Sequence, residues 1–235
     1  MCINSFRHGR GAISSGLEPW DQCSSPRCEQ VLEHKLPEQI ASCASTPSQP
    51  SSQEDYLLVQ RLRTFLREKH WEEADDLFTD EYLHTVLHAT KNGKQRTFEY
   101  AAAKLQQSLE WRRQYGASSI KREDVSNALA PNHMWWEGED KYGRPMLYAR
   151  PGLMDLKTYS REEYVRAHVY LIEQGLKRMR PGVSSFVLVV DSSGLSTKHF
   201  DITRDKQLLA IGTEAYPDRM GALVVGPVNG FIRTS

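Results

Sequence analysis

The chain has 235 residues, 30 of them basic and 30 acidic, so its formal charge at pH 7 is zero and no overall field draws it to nucleic acid. No apolar run approaches the ~20 residues that a membrane helix needs, and residues 1–11 hold no apolar secretory core. These features point to a soluble, cytoplasmic protein.

Residues 1–53 are rich in Ser, Pro, Gln and Gly and show neither helical nor strand periodicity. Such a segment cannot bury enough apolar surface to offset its ordering entropy, so a disordered tail is expected. Cys2, Cys23, Cys28 and Cys43 all fall in it, and a disulfide framework would not be confined to a tail. Cys23 and Cys28 lack a matching second ligand pair, so free thiols are expected rather than zinc.

Helical spacing begins at Asp55, where Leu58, Leu62, Phe65 and Leu66 share a face. Asp80 is placed to cap a second helix carrying Leu83, Val86 and Leu87, with Asn92-Gly93 as its stop. Thr97 to Tyr115 makes a third, stacking Phe98, Ala101, Ala102, Leu105 and Leu109, with Gly116 as its stop. Residues 54–117 therefore read as a small helical bundle.

Residues 118–235 read as an α/β layer. His133 to Glu137 and Met146 to Arg150 form two strands joined through Gly138-Glu-Asp-Lys-Tyr-Gly143, a polar turn whose glycines can take positive φ. Ser160, with Glu163 three positions on, has the form of a capping box that starts a helix with a stripe of Val165, Val169, Ile172, Leu176 and Met179. Phe186 to Val190 is five apolar residues without alternation, as expected of a central strand covered on both faces. A helix near Asp201 to Ala215 bears Ile202, Leu208, Leu209 and Ile211, and a short strand, Ala222 to Val225, completes a parallel crossover.

Four blocks carry a resemblance. They are Leu62-Arg-Thr-Phe-Leu-Arg67, Lys104-Leu-Gln-Gln-Ser-Leu-Glu-Trp-Arg-Arg113, Asp140-Lys-Tyr-Gly-Arg-Pro145 and Tyr216-Pro-Asp-Arg-Met-Gly221. In this order and spacing the chain resembles the CRAL-TRIO lipid-binding and phosphatidylinositol-transfer family over Leu58 to Val225. The resemblance implies a fold of class α/β, a helical bundle followed by a mixed sheet with helices, enclosing one lipid and doing no chemistry. It also implies transfer of a phosphoinositide between membranes without a cofactor or a metal, with a protein partner as a further expectation.

The same resemblance assigns roles. Asp218 and Arg219 match the family's acidic and basic pair after Tyr-Pro and would contribute to the headgroup network, against the plainer reading of a solvated turn. Phe186, Leu188, Leu147 and Trp136 would line the pocket; they stand where hydroxyl side chains hold phosphatidylcholine in other members, which disfavours that lipid. The family's chain continues past the strand near Val225, so a truncated cage with an exposed apolar wall is expected here. The second reading is an interaction module that keeps the fold and regulates a partner.

Three rival constellations are weaker. Asp191, Ser192, Ser193 and His199 invite a hydrolase, but the Gly-x-Ser-x-Gly elbow is missing and a capped turn is favoured. His84 and His88 stand four apart on a helix after Asp80, a metal-ligating spacing without a distant third ligand, so a polar helix face is favoured. Lys104, Arg112 and Arg113 read as a solvated basic helix end.

Overall fold

The protein is described from a computed structural model over residues 52–68, 77–91, 93–154 and 157–227. The amino-terminal tail, its four cysteines and the stretch after Pro227 lie outside the described residues.

Helix α1, Gln53–Glu68, buries Val59, Leu62 and Leu66, so the sequence stripe was right about Leu62 and Leu66 and missed Val59. Helix α2, Asp80–His88, starts one residue earlier than the carboxylate suggested: the Thr79 hydroxyl accepts from the Tyr82 amide and is the cap. Asp80 instead takes Arg63 of α1, whose guanidinium also donates 2.9 Å to the Phe78 carbonyl. After α2 a two-residue hairpin, β1 (Thr90–Lys91) with β2 (Lys94–Gln95), replaces the expected helix end at Asn92-Gly93. Helix α3, Phe98–Tyr115, is capped by the Thr97 hydroxyl and stopped by Gly116, whose φ of 69° is the left-handed conformation that favours glycine. Together α1, α2 and α3 enclose a core of Leu62, Leu66, Tyr82, Leu83, Leu105, Leu109 and their neighbours.

The second layer begins with short 3₁₀ turns and one turn of helix, α4, Ser126–Leu129. Strands β3 (Met134–Glu139) and β4 (Pro145–Ala149) pair antiparallel across the predicted turn, and Gly138 and Gly143 both take positive φ. The Asp140 carboxylate organises that turn, accepting from the Tyr142 and Arg144 amides and from the Arg144 guanidinium. Helix α5, Arg161–Leu176, is capped by Ser160, but only half of the capping box closes. The Glu163 carboxylate turns away and accepts from the Asn127 and Ala128 amides, so it caps α4 instead.

Strand β5, Phe186–Asp191, lies inside the sheet, whose order is β3-β4-β5-β6 with β4, β5 and β6 parallel. Helix α6, Ile202–Glu214, connects it to the edge strand β6, Met220–Gly226. Residues of α5 and α6 join Trp136, Leu147 and Phe186 in one core, so both helices serve the same face of the sheet. Two expectations need correction. Only Phe186 and Val187 of β5 are buried, and Leu188 to Asp191 are half-exposed, so the central strand is covered at its start alone. On α6 only Ile211 of the four apolar residues is buried; Ile202 is 73% and Leu209 70% exposed, because Arg204 takes the inward side.

Candidate functional site

In adjacent strands, register partners project to the same side of a sheet. Trp136 pairs with Leu147, Leu147 with Leu188, and Leu188 with Leu223, which makes one cross-strand row. Phe186, two residues before Leu188, shares that face and meets the Trp136 ring edge-on with centroids 5.5 Å apart. The structure therefore brings the four sequence-predicted pocket residues together.

Their surroundings differ along the row. Trp136 and Leu147 are 6% and 5% exposed, Leu188 is half-buried, and Leu223 is 49% exposed. At the closed end α5 presses directly on the sheet. The Trp136 indole donates 2.8 Å to the Leu171 carbonyl, and a Cβ at Gly175 would stand 2.1 Å from the indole ring. At the other end Leu223 and Met220 of β6 are open; Ile202 and Leu209 of α6 are exposed as well. The row thus runs from solid core to an exposed apolar end, with Leu188 at the boundary.

Asp218 and Arg219, the expected headgroup pair, do not face that end together. Asp218, at φ 57°, holds Arg96 of the bundle side by two hydrogen bonds. Arg219 is buried: its guanidinium lies 3.3 Å from the centre of the Tyr82 ring and donates to the carbonyls of Ser184 at 3.0 Å and Leu77 at 2.6 Å. Burial pulls the Arg219 pKa down from its usual value and pushes the Tyr82 hydroxyl up to about 12, so that hydroxyl keeps its proton near neutrality. The cavity beside them, bounded by Leu77, Tyr82, Arg112, Tyr216 and Arg219, measures about 10 Å³, room for one water and not for a headgroup.

The pair belongs to a polar junction that fastens the bundle to the sheet layer. Arg112 of α3 grips both carboxylate oxygens of Glu173 of α5, and the Tyr216 hydroxyl donates 2.5 Å to the same carboxylate. Burial and the neighbouring Glu173 charge push the Tyr216 pKa far up, so its proton stays in place. The Tyr82 hydroxyl donates 2.7 Å to the Pro217 carbonyl, and the Ser108 hydroxyl donates 2.5 Å to Ala215. Arg112 is therefore not the solvated helix end that the sequence suggested. It stands three residues after Leu109 and seven after Leu105 on the buried stripe of α3, a spacing that could have revealed it.

Gly221 ties two of the four sequence blocks together. A Cβ there would come within 2.4 Å of the Ser185 hydroxyl and 2.8 Å of the Arg144 guanidinium, so the strand passes Arg144 only because residue 221 has no side chain. The Arg144 guanidinium is fixed in turn by Asp140 at 2.7 Å and 2.6 Å.

The hydrolase constellation is dispersed. The Ser192 hydroxyl donates to the Pro227 carbonyl, Asp191 accepts from the Ser193 amide and pairs with Arg150, and His199 Nδ1 accepts from the Ser196 amide. Those are contacts of a turn and of the 3₁₀ segment that follows it. Lys104 makes a 3.3 Å hydrogen bond to Gln107 on the same helix.

A helical bundle clamped to a mixed sheet, with one helix-covered face opening at an apolar edge, defines a protein of the α/β class. Residues 130–234 match the CRAL/TRIO domain family, so this part of the chain is a CRAL/TRIO domain. It is 31% identical over 145 residues to Protein real-time of Aedes aegypti, covering 55% of this chain and 22% of that one. It is 26% identical over 195 residues to Phosphatidylinositol/phosphatidylcholine transfer protein SFH7 of Arabidopsis thaliana, covering 73% of this chain and 34% of that one. The crystal structure of Sfh5 superposes with a TM-score of 0.57 at 16% identity, over 80% of this chain and 75% of that one, which supports the fold. The chain thus spans about a fifth to a third of the length of these curated relatives. CRAL/TRIO proteins generally bind and transfer lipids or other small hydrophobic ligands. Among the described residues, no helix is long and apolar enough to cross a membrane.

Proposed function

We propose that the chain binds one lipid at the open end of its sheet and passes it between membrane surfaces. The observation that carries this reading is the change along one row of side chains, from buried Trp136 to Leu223 at 49% exposure. Apolar groups left half-open beside a closed core are what an acyl chain would cover. Removing that chain from a bilayer and burying it here are worth about the same, ~0.8 kcal/mol per methylene, so uptake is a near-balanced exchange. Leu188 and Leu223 border the opening, while Leu147, Trp136 and Phe186 form its closed end.

The lipid class proposed is phosphatidylinositol or a related phosphoinositide. The similarity to a plant protein named for phosphatidylinositol and phosphatidylcholine transfer supports the class, and Phe186 and Leu188 offer choline no hydroxyl. A headgroup role for Asp218 and Arg219 requires their present contacts with Arg96, Ser184 and Leu77 to open. The test is to incubate lipid-free protein with mixed vesicles of phosphatidylinositol and phosphatidylcholine, re-isolate it, and weigh the complex by native mass spectrometry. One phosphatidylinositol per chain is expected, lost in Leu188→Glu. Recovery of lipid-free protein overturns the reading, and recovery of phosphatidylcholine alone overturns the lipid class.

A further inference from the structure

The helix pair His84 and His88 acquires in the fold the third ligand that its local sequence lacks. The two histidines lie one turn apart on α2 with ring centroids 4.2 Å from each other. Asp55, in the first turn of α1, reaches across to both: its Oδ1 is 3.0 Å from His88 Nε2 and its Oδ2 is 3.9 Å from His84 Nε2. One ligand atom from each of the three residues falls within 4.8 Å of the others. We propose that Asp55, His84 and His88 form a binding site for a divalent cation of the zinc class.

Chemistry and placement both favour this. Zinc takes imidazole nitrogen and carboxylate oxygen at ~2.0–2.2 Å, which sets tetrahedral ligand-to-ligand edges of roughly 3.3–3.5 Å. The 3.0 Å and 3.9 Å separations, one to each carboxylate oxygen, bracket that edge, and with the three ligand atoms all within 4.8 Å of one another the donors draw together by about an ångström to close on an ion. Two imidazoles suit zinc, cobalt or nickel, whereas calcium and magnesium need a larger set of oxygens.

The group is supported from outside. The Gln95 side-chain nitrogen donates to His88 Nδ1 at 3.1 Å, which leaves the ring proton on Nε2; an ion at Nε2 displaces that proton, and Gln95 keeps the imidazole oriented through Nδ1 or turns its amide oxygen to it. The Ser52 hydroxyl accepts from the Asp55 amide at 3.1 Å and holds the start of α1. Exposure is graded: the His84 side chain is 6% exposed, Asp55 17% and His88 32%, so the cluster has a closed inner wall and an approach on the His88 side. The fourth ligand is then a water on that side. Bound there, the ion cross-links the first turn of α1 to α2.

The site is independent of the lipid reading, and its test uses the full chain without lipid. The metal-stripped protein is titrated with Co²⁺ and followed by absorption. Expected is one Co²⁺ per chain, with the d–d bands of a nitrogen and oxygen site, displaced by Zn²⁺. His88→Ala, at the exposed edge of the cluster, and the isosteric Asp55→Asn are each expected to weaken binding about 100-fold or more with unchanged circular dichroism. Zn²⁺ should raise the melting temperature of the wild type and not of either variant. Absence of saturable binding, a thiolate-to-metal charge-transfer band marking the four cysteines, or unchanged affinity in both variants overturns the proposal.

Discussion

The polar junction and the open end of the sheet invert the usual distribution of side chains. At the junction Arg112, Glu173, Tyr216 and Arg219 are buried, whereas at the open end Met220 and Leu223 face outward. The difference shows where each region's free energy lies. Buried charges are tolerable only when paired or hydrogen-bonded, so the junction holds the bundle and the sheet in one geometry and resists change. Exposed apolar groups contribute little to folding, so the open end is free to serve a ligand.

Breaking the junction should cost the most. Glu173→Ala leaves Arg112 buried without its carboxylate and is expected to destabilise by ~3–5 kcal/mol, read as a lower denaturant midpoint. The double change Arg112→Met with Glu173→Leu should recover most of that loss, because it removes the charges together. A double variant as unstable as Glu173→Ala would show that the pair contributes through something other than charge compensation.

Acid should act next, through two histidines packed with tyrosines between α5 and the start of β3. His133 stacks on Tyr164 at 5.5 Å, His168 lies 4.4 Å from the same ring, and burial lowers the pKa of each to about 4. The unfolded chain takes up these protons near pH 6.5 while the folded chain does not. Stability from this cluster is thus fully present above pH 6.5 and is lost as pH falls toward 4, by a few kcal/mol in total. Urea midpoints at several pH values give the profile, and His168→Phe should flatten it.

Gly175→Ala tests the closed end of the row. Its new methyl group would meet the Trp136 ring, so a loss of ~1–3 kcal/mol is expected in thermal unfolding. The smallest expected effect sharpens the comparison best. Leu223→Ser at the open end should change stability by less than ~0.5 kcal/mol while reducing lipid capture from vesicles. If it instead destabilised the fold like a core substitution, the open end would be core and the contrast would fail.

The elements themselves were legible in the sequence because their signals are local. Thr97 and Ser160 cap the helices that follow them, Gly116 stops one, and the Gly138 to Gly143 turn joins two strands, all through contacts within a few residues. Strand composition announced β5, and the blocks at 140–145 and 216–221 fall within the matched CRAL/TRIO domain. Where local signals competed, the nearest candidate lost: Thr79 displaced Asp80 as a cap, and Glu163 served another helix instead of its own capping box.

The sites depended on partners far away in the chain, which no spacing rule can supply. Arg112 looked like a solvated helix end until Glu173 met it across the junction, and Arg219, expected at a headgroup, is held here by the carbonyls of Leu77 and Ser184. His84 and His88 had half a metal site, and only the packing of α1 on α2 brought Asp55 to them. Sequence determined the elements because hydrogen bonds within a turn depend on neighbours. Tertiary structure decided which polar groups are buried, paired or available, because desolvation and charge depend on everything that surrounds them.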